Sequence, residues 1–226
     1  NSLVTRYGSG IGEVSVIPIT VSAEIPPHAQ LPPHAFHFAL IAVGRLEPEK
    51  HIEDILIALS LVVKRYPTVS LFIVGEGREH GRLLRMTKTL ALEKHVVFLG
   101  ERSDARALMG SAQAFIQASV YEGYGRTLIE AALARIPIIT TDVGIVGEVF
   151  KDQVEVLVAP VADPTALASG IVRFIEDTRA RQELPIGAAA AAQAHLLQQD
   201  SRRGVGAVGD LPMRITEDLA RMLQQP

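Results

Sequence analysis

The segment HFALIAVGRLEPEKHIEDILIALSLVVKRYP, residues 37–67, decides the fold of this chain. It begins with the apolar run Phe38 to Val43, which is typical of a strand buried on both faces of a parallel sheet. A turn at Gly44 follows, and an amphipathic pattern then predicts a helix from Pro48 to Arg65. Strand, turn and helix together make the βα unit from which α/β domains are built.

Further apolar, strand-like runs follow along the chain, mostly in alternation with helical segments. They lie at residues 14–18, 69–74, 96–99, 114–118, 136–140 and 155–158. Such alternation is typical of βα units around a parallel sheet. The sequence therefore predicts an α/β fold with a Rossmann-like, doubly wound parallel sheet, which binds ligands beyond the carboxyl ends of its strands.

Length and composition narrow the class of protein. The 226 residues are 48% hydrophobic, which suits one α/β domain with a sizeable core. A formal net charge of −3 and the lack of a basic run predict no nucleic-acid partner and no membrane patch. The sequence contains no cysteine, and no signal peptide or membrane-spanning run is predicted. We therefore expect a cytoplasmic protein.

A second informative segment is YEGYGRTLIEAALARIP, residues 121–137. Gly123 and Gly125 predict a turn in which the main chain can approach a ligand closely. The helical pattern begins at about Tyr124, so the turn leads directly into a helix N-terminus. Unpaired N–H groups and the positive end of the helix dipole stabilise a bound phosphate there.

Two carboxylates bracket this turn. Glu122 lies just before the predicted helix, and Glu130 lies inside an otherwise apolar run. Carboxylates accept hydrogen bonds from vicinal hydroxyls, so one could hold a sugar and the other a ribose. The structural alternative is that Glu122 caps the helix while Glu130 pairs with Arg126 one turn back.

Two cations follow the first strand. Arg45 comes directly after the strand, and Lys50 lies where a helix dipole disfavours positive charge. An anionic ligand would reverse that penalty, and two cations with N–H donors match a diphosphate. The structural alternative is a solvated pair of cations neutralised by Glu47 and Glu49.

These segments resemble the signatures of the retaining glycosyltransferases of family 4 (group 1), which have the GT-B fold. GRLEPEK followed by EGYGRTLIEA is similar to the family's GRLxxxKG and EGFGxxxxEA motifs. Between and around them, VSLFIVGEGREHGRLLRM, VVFLGERSDARALMGSAQAFIQAS and IPIITTDVGIVGEVF resemble the family's other strands and turns. The resemblance covers roughly residues 10–178 and, because the motifs keep their order, is specific.

The resemblance implies a donor site for a nucleotide-diphosphate sugar, with a UDP-sugar expected first and GDP- or ADP-sugars as alternatives. By similarity, Glu122 would hold the sugar hydroxyls and is the candidate catalytic residue, Glu130 would bind the ribose, and the backbone near Gly100 and Arg102 would contact the base. No metal and no cofactor are expected, and the chain has no Asp-x-Asp motif. The implied donor-binding residues are Gly44, Arg45, Lys50, Arg102, Glu122, Gly123, Tyr124, Gly125, Arg126, Thr127 and Glu130.

Family members carry two Rossmann-like domains, and the resemblance covers the C-terminal, donor-binding half. We expect an interdomain link, a first strand and a Pro/His-rich loop in residues 1–35, the nucleotide-sugar-binding domain in 36–178, and a partly irregular helical tail in 179–226. With the acceptor-binding N-terminal domain absent from the resemblance, this chain alone is expected to bind a donor but to be inactive in transfer. Any association with the inner membrane face would come through that absent domain. The expected acceptor is a sugar, a lipid-linked sugar or another glycoconjugate. Such an acceptor would place the reaction in polysaccharide biosynthesis.

Three departures from the family pattern favour a second hypothesis. His51 replaces a usual glycine, Ile145 replaces the second glycine of a pair, and Ile19-Thr20 replaces Asn-Gly. Each puts bulk near the predicted cleft, as in a stand-alone nucleotide-sugar-binding or regulatory module without transferase activity.

A third hypothesis, a Rossmann oxidoreductase, would use the glycines at positions 75, 77 and 81. Their spacing fails the dinucleotide fingerprint by one residue, so we predict a structural turn there.

Overall fold

A computed structural model of the chain describes residues 21, 29–32 and 37–203. Within them, one six-stranded sheet comprises β1 (Phe38–Val43), β2 (Val69–Val74), β3 (Val96–Gly100), β4 (Ala114–Ile116), β5 (Ile138–Thr141) and β6 (Leu157–Ala159). The helices are α1 (Ile52–Val62), α2 (His80–Thr89), α3 (Ala105–Met109), α4 (Arg126–Leu133), α5 (Pro164–Glu176) and α6 (Thr178–Arg203). The predicted strand at 14–18 and the substitutions at Ile19 and Thr20 lie outside the described residues.

The strand order is β3-β2-β1-β4-β5-β6, and every pair of neighbours is parallel. From β1, the strands β2 and β3 are added on one side of the sheet. The chain then returns to the other side of β1, where β4, β5 and β6 are added in turn. This confirms the predicted doubly wound parallel sheet. The order reverses between β1 and β4, and at such a switch point the loops that follow the two strands leave a crevice at the carboxyl edge of the sheet.

Helices cover both faces of the sheet, as burial of a parallel sheet requires. Alternate residues of β1 enter different cores: Leu40 packs with α1 and α5, and Ile41 packs with α4. Both side chains are completely buried. The long helix α6 contributes Leu184 to the first core and Ala188 to the second, so it ties the two faces together.

Two α-helices begin a few residues later than predicted. A short 3-10 turn, Pro48–Lys50, precedes α1, and His51 separates the two with a left-handed backbone at φ 46° and ψ 41°. Lys50 thus ends a 3-10 turn rather than lying in the first turn of one long helix. Helix α4, predicted to begin at about Tyr124, begins after Gly125, whose φ of 93° interrupts the helical backbone.

The loops that follow β1 and β2 lie against each other through their main chains. The Gly44 N–H donates to Val74 O at 3.0 Å, and the Leu46 N–H donates to Glu76 O at 2.8 Å. A Cβ atom added at Gly75 would lie 1.9 Å from the carbonyl oxygen of Gly44. The glycines after β2 therefore form a structural turn, as predicted, and this turn supports the loop that carries Arg45 and Lys50.

We expect Gly75→Ala to destabilise the protein by about 3 kcal/mol or more, because it combines an overlap with the Gly44 carbonyl and a φ of 137° that side chains rarely adopt. Urea denaturation measures this loss. Gly81→Ala is the matched control, because Gly81 lies in α2 with only ordinary contact distances at its Cβ position. Alanine there should be neutral or stabilising. Equal stability of the two variants would contradict the close approach at Gly75.

Candidate functional site

The crevice in front of β1 and β4 holds an ion pair between the two segments that the sequence singled out. The Lys50 Nζ atom lies 2.6 Å from Glu122 Oε1, and only 18% and 11% of the two side chains are exposed. A main-chain hydrogen bond of 2.9 Å from Val120 N to Glu49 O joins the same two loops. The switch point thus brings together a cation and a carboxylate that are 72 residues apart in the sequence.

Glu122 has a second partner that sequence reasoning missed. The Ser119 hydroxyl donates to Glu122 Oε1 at 2.8 Å, and Thr141 Oγ1 donates to the Ser119 carbonyl oxygen at 2.5 Å. Both Ser119 and Thr141 are completely buried. Buried hydroxyls with fixed partners hold the carboxylate in one orientation, and the only signal in the sequence was a serine three residues before Glu122.

His51 takes the conformation that glycine would favour at its position. Its φ and ψ angles lie in the left-handed region, where histidine is among the more common residues other than glycine. Its Nδ1 atom lies 3.0 Å from Asp54 Oδ2, which fixes the ring against the first turn of α1. His51 therefore fits a turn whose backbone conformation favours glycine, and its ring packs against α1.

Three N–H groups of the glycine turn, Gly123 to Gly125, have no hydrogen-bond acceptor among the described residues. Farther along the chain, the amides of Leu128 and Ile129 donate to the Gly125 carbonyl oxygen and close the first turn of α4. The turn therefore offers its own N–H groups to an anion, the arrangement that binds phosphate at helix N-termini.

Ile145 lies beneath this turn and does not crowd the crevice. It is 3% exposed, and its N–H donates to the Tyr124 carbonyl oxygen at 3.0 Å. A Cβ atom added at Gly125 would lie 3.5 Å from the Ile145 side chain. The expectation that Ile145 would add bulk at the cleft was wrong, because its side chain belongs to the core.

The structural alternatives account for some of the other candidates. Arg45 is 76% exposed and pairs with Glu49 at 3.4 Å, and Arg126 pairs with Glu130 at 3.0 Å along α4. Lys50, by contrast, pairs across the crevice and not with its neighbours. Arg45 and Glu130 thus contact adjacent residues, whereas Lys50 and Glu122 contact each other.

Thr127 is held by a polar side chain at the end of β4. Its hydroxyl donates to Gln117 Oε1 at 3.0 Å, which joins the first turn of α4 to the sheet. Gln117 is a further residue that sequence reasoning missed, because it follows a buried strand without any motif.

Arg102 lies beyond β3, which β2 separates from β1 in the sheet, so it has no contact with the Lys50–Glu122 pair. Its guanidinium hydrogen-bonds to Asp104 and thereby lowers the pKa of that carboxyl. Arg102 also lines a cavity of 430 Å³ with Leu99, Leu108 and residues 30–32.

The Tyr124 side chain points away from the crevice, toward α6. Its hydroxyl lies 2.9 Å from His195 Nε2 and 2.9 Å from Gln199 Nε2. Burial raises the pKa of Tyr124, and the nearby charge of Glu148 raises it further, while the hydrogen bond with Gln199 acts in the opposite direction. Sequence reasoning missed both partners, which come from α6.

Neither a metal cluster nor a membrane helix occurs in the described part of the chain. No three His, Cys, Asp or Glu residues come together there in a way that could hold a metal ion. Of the helices α1 to α6, none is long and apolar enough to cross a membrane.

The order of the sheet, with a crevice at its switch point, defines a Rossmann-like α/β domain. The family model of the glycosyl transferases group 1 matches residues 34–190, and the chain belongs to this family. The expected resemblance to group 1 is confirmed at this level, and the family match does not favour the oxidoreductase hypothesis.

Relatives and solved structures agree with this assignment. The chain is 32% identical over 185 residues to a glycogen synthase of Mycobacterium tuberculosis, covering 80% of this chain and 44% of the relative. It therefore spans less than half of that relative's length. The crystal structure of Anabaena HepE in complex with UDP is 27% identical with a TM-score of 0.68, covering 75% of this chain and 49% of HepE.

A further solved structure shares the fold. The C-terminal domain of a Francisella tularensis glycosyl transferase group 1 family protein superposes with a TM-score of 0.69 at 18% identity. The match covers 77% of this chain and 97% of that domain.

We expect His51→Gly to change the free energy of unfolding by less than about 1 kcal/mol, because relief of the left-handed strain offsets the lost contact with Asp54. His51→Val should destabilise by about 1–2 kcal/mol, because a β-branched side chain fits that region worst. Thermal denaturation of the two variants measures the difference. If valine were tolerated as well as glycine, the turn would not have the backbone described here.

Proposed function

We propose that this chain is the donor-binding part of a retaining glycosyltransferase of family 4, which binds a nucleotide-diphosphate sugar for transfer to an acceptor. The observation that carries the proposal is the Lys50–Glu122 pair at the switch point, next to the free N–H groups of the glycine turn. A cation and N–H donors suit a diphosphate, and a carboxylate beside them suits the sugar that the diphosphate carries.

The diphosphate would lie between the loop after β1 and the N-terminus of α4. Lys50 is already ordered there by its contact with Glu122, whereas the exposed Arg45 would turn toward the ligand from its pairing with Glu49. Glu122 would then exchange part of its contact with Lys50 for the sugar hydroxyls. It remains our candidate catalytic residue.

The ribose and base would extend from this point along the carboxyl edge of the sheet. Glu130 would accept hydrogen bonds from the ribose hydroxyls, with its partner Arg126 free to turn outward because most of that side chain is exposed. Arg102 and the backbone at Gly100 would contact the base, and the cavity of 430 Å³ lined by Arg102 and Leu99 offers a largely apolar place for it.

A UDP-sugar is the donor that we propose first. Support comes from Anabaena HepE, which was solved with UDP and, at 26% identity, with UDP-glucose. One relative is named glycogen synthase and another phosphatidyl-myo-inositol mannosyltransferase. These names indicate different acceptors, so the acceptor class stays open. GDP- and ADP-sugars are the alternative donors.

Catalysis would rest on electrostatics around the departing diphosphate. Arg45, Lys50 and the N–H groups of the glycine turn can hold its negative charge as the glycosidic bond to the sugar breaks. We propose that this set of donors, rather than a bridging metal, supplies the positive charge. The acceptor would be bound by the part of the relatives that this sequence does not span, and we expect the present chain alone to be inactive in transfer.

The proposal predicts that UDP binds this chain and that Lys50→Met weakens the binding about 10- to 100-fold, because a charge-assisted hydrogen bond to the diphosphate is lost. Arg45→Ala and Glu130→Ala should each weaken it about tenfold. Isothermal titration with UDP, GDP and ADP measures the affinities and names the base.

Arg179→Ala is the matched control for Arg45→Ala. Arg179 is as exposed as Arg45 and also pairs with a glutamate four residues on. It lies in the first turn of α6 and is not part of the proposed donor site. Its removal should leave the affinity for UDP unchanged. Failure of every nucleoside diphosphate to bind at millimolar concentration would refute the proposed function.

A further inference from the structure

The end of helix α6 is attached to the glycine turn through a closed set of polar side chains. Tyr124 OH, His195 Nε2 and Gln199 Nε2 lie 2.8–2.9 Å from one another. His195 and Gln199 come 71 and 75 residues after Tyr124. We call these three residues the tyrosine clamp.

The sequence of α6 explains why its end reaches the turn. Ala188 and Ala192 are buried against the α4 side of the sheet, and His195 and Gln199 follow them at helical spacing on the same stripe. Alanine at the first two positions lets the helix backbone come close to its neighbour. The next two positions on the stripe therefore meet the beginning of α4, where Tyr124 lies.

Within the turn Gly123-Tyr124-Gly125, only the tyrosine has a side chain that can be held. A Cβ atom at Gly123 would have no heavy atom within 4 Å, and Gly125 has a φ of 93° that favours glycine. Two flanking glycines allow the main chain many conformations. The position of the three free N–H groups therefore depends on what restrains Tyr124.

Tyr124 is restrained from two sides. Its carbonyl oxygen accepts the Ile145 N–H at 3.0 Å, and its hydroxyl is held by the clamp. The hydroxyl is partly buried and needs partners there, because an unpaired buried polar group is costly. α6 supplies both of these side-chain partners.

We propose that His195 and Gln199 are positioning residues: through Tyr124 they hold the glycine turn in the conformation that presents its N–H groups to the donor phosphate. This proposal rests on the proposed function, in which that turn binds the diphosphate. The docking of α6 then sets the affinity for the phosphate part of the donor and leaves the affinity for its base unchanged.

The test combines ligand binding with amide exchange in four variants of the same chain: His195→Ala, Gln199→Ala, His195→Gln and Gln198→Ala. In His195→Ala and Gln199→Ala we expect UDP to bind about tenfold more weakly, with the affinity for uridine unchanged. His195→Gln keeps a side chain that can hydrogen-bond to Tyr124 and should restore most of the affinity. Gln198→Ala is the matched control, because this neighbouring glutamine is exposed and outside the clamp.

Exchange of two amides reports on the turn without any ligand. The N–H groups of Leu128 and Ile145 donate to the carbonyl oxygens of Gly125 and Tyr124. In His195→Ala and Gln199→Ala their exchange should accelerate by a larger factor than that of β1 amides, which report global unfolding.

The outcomes separate the two proposals. Unchanged exchange at Leu128 and Ile145 in both alanine variants would overturn the positioning role, whether or not UDP binds. Equal weakening of UDP and uridine would also overturn it, because a general structural defect is then sufficient. If the wild-type chain bound no nucleoside diphosphate, the proposed function would fail, and the exchange measurement alone would decide whether the clamp holds the turn.

Discussion

The arrangement of the site depends on β1 having a parallel neighbour on each side. Because β2 lies on one side and β4 on the other, the loops that follow β1 and β4 diverge in front of the sheet and leave a crevice. The hydrogen bond from Val120 N to Glu49 O joins the two loops. Lys50 and Glu122 can then meet across the crevice, and the N-terminus of α4 faces the same space. Without this reversal of strand order, the cation and the carboxylate would lie on separate parts of the sheet edge.

The main chain is positioned in two different ways around this crevice. At Gly75 the absence of a side chain lets two loops touch, so the loop after β1 has a rigid support. At Gly125 the requirement is conformational, since a positive φ turns the chain from the loop into α4. His51 meets a similar requirement without glycine and gains a contact with Asp54 in exchange for the strain. Residues that differ from a family pattern can therefore preserve the backbone geometry, which removes the support that His51 and Ile145 gave to a binding module without transferase activity.

The sequence predicted the fold class and the described strands well, because a buried strand such as β1 is a continuous apolar run with a turn after it. The sequence did not predict where α1 begins. Pro48 and Glu49 are ordinary first-turn residues, and side-chain periodicity does not indicate the left-handed backbone at His51 that separates the 3-10 turn from α1. Ser119 and His195 were missed for a different reason, because no motif marks either residue. Ser119 contacts Glu122 only three residues on, whereas His195 meets Tyr124 through tertiary packing. The regular spacing of Ala188 and Ala192 ahead of His195 was the one available signal, and it predicts a buried stripe rather than a polar contact.

The two cations of the proposed donor site are prepared to very different degrees. Lys50 is held by Glu122 with 18% of its side chain exposed, so little side-chain entropy is lost when it meets a diphosphate. Arg45 has 76% of its side chain exposed and makes only a long contact with Glu49, which costs little to break but leaves the whole side chain to be ordered. Glu122 serves both as the residue that orders Lys50 and as the proposed acceptor of sugar hydroxyls. Its carboxylate therefore couples the two ends of the donor: a sugar that draws Glu122 toward its hydroxyls also frees Lys50 for the phosphate. In this arrangement the Lys50–Glu122 pair preorganises the site before the donor binds. The pair is held in place by the hydrogen bond from Ser119 to Glu122 and by the sheet beneath it.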